Sequence, residues 1–502
     1  MAKRKTKKKK PVATDLDGNV AAEDVQEDSP AEKKKKKREK PQIMGNTLKE
    51  FAGNANAAYG IDWVVDAADA IEAGVVRLST GIFEVDLILR GGLPYSQALT
   101  LFGSDSTGKS VLMMIDAAAT VQTCRHCYTR IIEFTNYETG ETKVTCRCGK
   151  QDRMNAVVAD SENRWDMVWG QTIGLPKKGD PGYDNLWIVQ PSTAERLTDM
   201  LRDAIHQHLI DKLYVDSFTG LFPESQTGRT SLEQQPGSAA KAITTLISTI
   251  INQNSRQGIK GRKVTIVGST QVRSKIGVSF GDPREMPGGW MLKHMRTCHF
   301  DFYSPKKDEG IKDDKRSAGP VTHYIDFHVK LKKASMGGGE GAEAYWRLYA
   351  NQYGDNTPGN LDNAKRIINQ LKTVGMAGKV KGGYQILGLE VSTVAEVAML
   401  ADDPAVYMVA LYAMLLCAST PQTAAYLDLG RYDYNPFYEV QVTMPEEDDD
   451  ENPFPRVELV PRDVVGKKTP SKGSGGKGKT NQDANKELAG FNPESASNAG
   501  SK

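Results

Sequence analysis

Gly103-Ser104-Asp105-Ser106-Thr107-Gly108-Lys109-Ser110 lies between an apolar run, Leu99 to Phe102, and a helical pattern from Val111 onward. Strand, glycine-bounded loop and helix in that order fit the G-x-x-x-x-G-K-[ST] arrangement that cradles nucleotide phosphates. The glycines let backbone N–H groups curl inward, and the helix N-terminus adds positive partial charge. Lys109 has the reach for β- and γ-phosphates, and Ser110 can hold Mg2+. Outward from this loop, from Arg77 to about Asp355, short β-rich runs (LTLFG, AVVAD, LYVDS, VTIVGSTQ) alternate with longer helical patterns. Such alternation favours an α/β fold with a mostly parallel central sheet flanked by helices.

A nucleotide-hydrolysing site also needs a magnesium-orienting acid at the end of a second apolar strand, and Asp216 closes Lys212-Leu213-Tyr214-Val215-Asp216. A carboxylate that orients or deprotonates water is the other requirement. Asp160 ends the strand Ala156 to Asp160 and Glu162 follows it, so spacing alone leaves the two on equal terms.

The run RLSTGIFEVDLILRGGLPYSQALTLFGSDSTGKS resembles the entry to the ATPase core of the RecA recombinases. VVADSENRWDMVWGQTIGL and STQVRSKIGVSFGDPREMPGGWMLKH match the same family, in order, and the second is more specific than a phosphate loop. The resemblance runs from about Arg77 to Gly354, with a fainter echo at GKVKGGYQILG. It implies a RecA-like P-loop ATPase core and a DNA-dependent ATPase that filaments on single-stranded DNA and drives strand exchange with double-stranded DNA. Position by position, it implies that Glu162 activates water, that Asp166 and Trp169 hold adenine, and that Gln271 senses the γ-phosphate. It also implies that Lys330 and Lys332 reach a neighbouring subunit's ATP in a homo-oligomeric helical filament. The loop Val272 to Gly289 then contacts single strands through Arg273, Lys275, Ile276, Gly288 and Gly289, and a shorter loop contributes Arg229. Two departures stand out: Trp290 replaces a small polar amide, and Ser269-Thr270 replaces an apolar-amide pair. They keep open a DNA-coating protein without strand exchange, beside a branch-migration motor of the same superfamily.

Between the loop's helix and the strand Ala156 to Asp160 the chain inserts CRHCYTRIIEFTNYETGETKVTCRCGK, which the family core lacks. Cys124, Cys127, Cys146 and Cys148 form a C-x-x-C and a C-x-C around a β-rich hairpin, a spacing suited to tetrahedral structural Zn2+. Reduced thiols, a redox pair, or a site using His126 are the alternatives. The hairpin is expected as a surface projection whose Arg125, Arg130, Lys143, Arg147 and Lys150 meet DNA or a protein partner.

Formal charge is nearly balanced at +2 over 502 residues, yet the first forty hold fourteen Lys and Arg against eight Asp and Glu. The basic excess is therefore local, and suits either loose phosphate contacts or a solvated arm. The organisation expected is a disordered basic tail (1–45), an N-terminal helical oligomerisation segment (46–76) and the ATPase core (77–355) with its zinc-ribbon insertion (122–152). A small C-terminal α+β domain (356–420), an extension with an acidic run (421–465) and a disordered tail (466–502) follow. The longest apolar stretch, Val406 to Ala418, is shorter than the ~18 residues that span a bilayer. No membrane association is expected; the cytoplasm is, that of a bacterial host if the chain is phage-encoded. Mediator or single-strand-binding proteins are possible further partners.

Overall fold

The computed structural model describes residues 43–60, 64, 75–227, 237–258, 261–274, 284–287, 289–309, 322–419, 427–445 and 454–462. The expectations for the tails at 1–42 and 466–502, for positions 61–63 and 65–74 of the N-terminal helical segment, for the acidic run, and for Arg229, Lys275, Ile276 and Gly288 lie outside these residues, as does the side chain of Trp290.

Among the described residues the central sheet has nine strands. Six run parallel: β1 (Ala98–Gly103), β4 (Ala156–Asp160), β5 (Leu186–Val189), β6 (Lys212–Asp216), β7 (Thr265–Gln271) and β8 (Cys298–Phe302). β2 (Ile132–Thr135) and β3 (Thr142–Thr145) make a separate hairpin. The parallel order across the sheet is β8-β1-β7-β6-β4-β5. An antiparallel block extends the β8 edge, where the long β10 (Thr322–Ala334) pairs with β8, β9 (Lys306–Glu309) and β11 (Glu343–Tyr349). All five residues of β4 are buried. A strand covered on both faces reads as a continuous apolar run, and helices supply that cover.

On one face lie α2 (Phe83–Ile88) and the phosphate-loop helix α3 (Lys109–Val121), whose Leu112, Met113 and Ile115 pack with Phe300 and Trp346. On the other lie α5 (Ala194–His206) and α6 (Ser238–Arg256) with the short α7 (Gly289–Met295), while the short α4 (Met167–Thr172) packs on the α3 face through Met167 and Trp169. α5 begins where the Thr193 hydroxyl accepts from the Arg196 N–H, and Leu197, Leu201 and Ile205 recur on its buried face. Gly268 in β7 is required by close approach, since a Cβ there would come within 2.0 Å of the Phe218 ring.

Under the sheet, Lys212 Nζ and Asp116 Oδ1 are 2.7 Å apart with both side chains fully buried. Tyr214 donates its hydroxyl to the second Asp116 oxygen at 3.0 Å. Burial pushes the Asp116 carboxyl up and the Lys212 ammonium down, while each partner opposes the shift of the other.

Beyond the core, α8 (Asn363–Thr373), the antiparallel strands β12 (Ala377–Val380), β13 (Gly383–Ile386) and β14 (Leu389–Val391), α9 (Val394–Asp402) and α10 (Pro404–Cys417) form a compact module. The antiparallel pair β15 (Tyr438–Thr443) and β16 (Arg456–Pro461) closes over it. Every residue of α10 from Ala405 to Leu416 is buried. The cover comes from β15 and β16 and also from Phe83 of α2 and from Ile132 and Phe134 of the β2–β3 hairpin. Buried Asp86 of α2 reinforces the joint, accepting from the Tyr407 hydroxyl at 2.7 Å as well as from Ser79 and Thr80.

At the other end, α1 (Leu48–Tyr59) starts at Thr47, whose hydroxyl accepts from the Glu50 N–H, and leaves Leu48 and Phe51 exposed. Among the described residues no single helix is long and apolar enough to cross a membrane.

Candidate functional site

The carboxyl ends of β1, β7, β6 and β4 meet at one edge of the parallel sheet, where open α/β sheets place their ligands. β1 delivers Gly103 beside Gln271 of β7, and β4 pairs Asp160 with Asp216 of β6. The loop then turns into α3 through Gly108, whose φ of 97° belongs to the left-handed region, and a Cβ there would strike the Phe327 ring at 2.3 Å. Lys109 folds back into the loop, its Nζ donating to the carbonyls of Gly103 at 3.0 Å and Ser104 at 2.5 Å. Thr107 also donates to the Ser104 carbonyl, at 2.9 Å. Asp105 and Ser106 complete the turn. Burial lowers the pKa of the Lys109 ammonium, against the pull of Asp105, Asp216 and Glu162. A phosphate entering the loop would exchange two neutral carbonyl partners for an anion, a stronger class of hydrogen bond.

Asp216 accepts from two hydroxyls at 2.6 Å, Ser110 on one oxygen and Ser269 on the other. Ser110 and Asp216 therefore stand together as a magnesium-holding pair can. Ser269 was visible in the sequence only as a departure. Its place two residues before Gln271, on the same face of a strand, was the signal that could have found it. Ser269→Ala is expected to raise the Mg2+ concentration needed for half-maximal ATP turnover by roughly three- to tenfold, one modest hydrogen bond. Saturating Mg2+ should restore turnover, and a magnesium titration reads the difference.

The two acids at the end of β4 are distinct in the structure. Asp160 is buried and accepts the N–H groups of Arg164 and Trp165, so it is spent on the turn. Glu162 accepts from Gln271 Nε2 at 3.1 Å and from Ser217 Oγ at 2.6 Å, with Arg164 3.6 Å from its other oxygen. Gln271 leads directly into the 272–289 loop. At that loop's ends, Arg273 pairs in antiparallel register with Glu285, and Arg284 makes two bonds of 2.9 Å to Asp301. Arg273 is exposed, and Gly289 opens α7 with a φ of 77°.

Asp166 caps α4, one carboxylate oxygen accepting from Val168 and Trp169 N–H, and Trp169 packs partly against the α3-side core. Lys330 and Lys332 project from one face of β10, opposite buried Val329 and Leu331. Lys330 donates to Glu343 at 2.8 Å, and the His328 ring is sandwiched between Tyr303 and Tyr345, each 4.4 Å away. Hydrogen bonds from Lys330, Tyr345 and His328 hold the Glu343 carboxyl down to about 2. Sequence reading missed Glu343; opposite charges on two alternating strands were its signal.

The four insertion cysteines converge. Sγ of Cys148 lies 3.6 Å from Cys124 and 3.7 Å from Cys146, and all four sulfurs are within 4.8 Å of one another. Tetrahedral thiolates about 2.3 Å from a zinc ion stand roughly 3.8 Å apart, so this donor set fits. His126 is instead turned to Asp152, at 2.9 Å. The hairpin does not project. Ile132 and Phe134 are buried in the core of the C-terminal module, while β3 faces solvent.

Residues 125–334 match the family model of the RecA N-terminal domain. This span includes Glu162, Asp216, Gln271, Lys330 and Lys332, and begins after the phosphate loop. The chain is 26% identical over 264 residues to Protein RecA of Synechococcus elongatus, covering 53% of this chain and 62% of that one. It is 25% identical over 267 residues to the DNA repair protein recA homolog 1, chloroplastic, of Arabidopsis thaliana, covering 53% of this chain and 52% of that one. With Protein RecA of Crocosphaera subtropica it shares 23% over 302 residues, 58% of this chain and 74% of that one. The chain thus spans between about half and three-quarters of the length of these curated relatives. The fold is the RecA-like α/β arrangement with a large, mostly parallel central sheet.

Proposed function

We propose that this chain is a RecA-type recombinase of bacterial or bacteriophage kind. It would act in the cytoplasm as a DNA-dependent ATPase that forms a helical filament on single-stranded DNA and exchanges strands with a homologous duplex. One observation carries the reading: Gln271 links Glu162, at the nucleotide edge, to the first residue of the 272–289 loop. A γ-phosphate competing for that amide would change where the loop begins. Lys109 and the loop backbone would hold ATP, Ser110 and Asp216 would hold Mg2+, and Asp166 and Trp169 would take the adenine. Glu162, held by Gln271 and Ser217 with Arg164 nearby, would orient the attacking water. Arg273 and the loop would meet the DNA backbone, and Lys330 and Lys332 would serve the ATP of the next subunit. The four cysteines would hold structural Zn2+.

Strand exchange between a labelled single strand and a matching duplex tests this directly. Product is expected with ATP and Mg2+ and absent without nucleotide. Single-strand binding with no product under any nucleotide condition would overturn the recombinase reading in favour of a coating role. Glu162→Gln should retain ATP-dependent DNA binding while lowering turnover on the order of 10²- to 10⁴-fold, the worth of a positioned acid–base group.

A further inference from the structure

The inserted hairpin cannot order itself by burial. Its own buried cluster consists of Ile131 with the thiols of Cys124 and Cys146, and Cys127 packed beside them. So small a core supplies little hydrophobic free energy, and in such units the metal supplies the folding energy instead. Yet the same hairpin contributes two large side chains to another unit. Ile132 and Phe134 are 3% and 2% exposed in the cluster that contains Leu371, Leu411 and Leu459. Phe134 meets the Tyr434 ring edge-on at 5.3 Å, and Tyr137 donates its hydroxyl to Asp403 and its N–H to the Tyr438 hydroxyl, both at 3.0 Å.

The base of the hairpin is gripped from both sides. Towards the ATPase core, Cys124 follows the end of α3 by three residues, and Arg125 forms a 2.6 Å pair with buried Asp211 just before β6. Towards the C-terminal side, the segment 427–438 wraps the cysteine turn. The Tyr434 hydroxyl donates to the Arg130 carbonyl at 2.9 Å, Arg431 donates to the Tyr128 carbonyl at 3.3 Å, and Arg147 pairs with Asp428 at 2.7 Å.

We propose that the Cys124, Cys127, Cys146 and Cys148 site is a zinc-dependent brace: bound metal orders the hairpin, and the ordered hairpin fastens the C-terminal module to the end of the phosphate-loop helix. The inference rests on the reading of the four thiolates as a zinc site and adds what that site does. Its role is internal; it joins two parts of one chain through the residues that the ATPase region lends to the module.

Zinc content and hydrogen exchange of the full chain test both levels. The purified protein should carry about one zinc per chain, as a closed four-sulfur site holds. Extraction with a thiol-reactive mercurial and chelator should accelerate exchange in α9, α10, β15 and β16 by about tenfold or more, a sub-global opening, with α6 unchanged and zinc return reversing it. Phe134→Ala keeps every cysteine; it should retain the zinc and still accelerate exchange in the same elements. A protein that binds no zinc would remove the zinc reading and the brace together. Zinc bound with exchange unaltered by extraction, or by Phe134→Ala, would leave a zinc site and overturn the brace alone.

Discussion

Lys109→Ala is expected to lower ATP turnover on the order of 10²- to 10³-fold, the usual loss when one preorganised donor to developing charge is deleted. Nucleotide affinity should fall as well, roughly 10- to 100-fold, because a charge-assisted bond to phosphate contributes more than a neutral one. The folded chain should tolerate the change. In the free protein the ammonium is held by the Gly103 and Ser104 carbonyls, and burial already disfavours its charge. Single-turnover hydrolysis, nucleotide titration and thermal unfolding separate the three effects. Unchanged turnover would remove Lys109 from the nucleotide site.

The largest stability effect is expected at the pair beneath the sheet. Lys212→Met alone leaves the Asp116 carboxylate fully buried beside the Tyr214 hydroxyl without its cationic partner, and should cost about 3–5 kcal/mol, the penalty for an uncompensated buried charge. Adding Asp116→Leu removes that charge, and the double variant should recover most of the loss, since buried ion pairs exchanged for apolar residues are often neutral. Denaturant midpoints of the two single variants and the double variant give the coupling. Additive losses would show that packing, and not the ion pair, sets the stability there.

Much of the strand-end cluster is legible in the sequence because its signals are local. Gly103 to Ser110, Asp216 and Gln271 each sit at the end of a buried strand, and the end of a parallel strand is a fixed address in an α/β sheet. The choice between Asp160 and Glu162 was not local. Spacing leaves both open; the family resemblance favours Glu162, and the turn at Arg164 and Trp165 shows Asp160 spent on backbone N–H groups. The cysteine spacing announced four convergent sulfurs. The destination of the hairpin stayed hidden, because Ile132 and Phe134 alternate as any half-buried strand does, and alternation names a face without naming what covers it. Ser269 and Glu343 were opaque for a related reason: a hydroxyl or a carboxylate becomes informative only when its partner, 53 residues away for Ser269 and 13 for Glu343, is brought beside it.

The way α10 is covered also bears on how the chain is made. Its twelve consecutive buried residues find partners both earlier in the chain, at Phe83, Ile132 and Phe134, and later, in β15 and β16. During synthesis the helix is complete at Cys417, while the last strand that shields it ends at Pro461. At ordinary elongation rates that interval lasts roughly 2–9 s. Throughout it the nascent chain carries a mostly apolar helix that has its earlier partners but lacks the cover of β15 and β16, the kind of surface that chaperones engage.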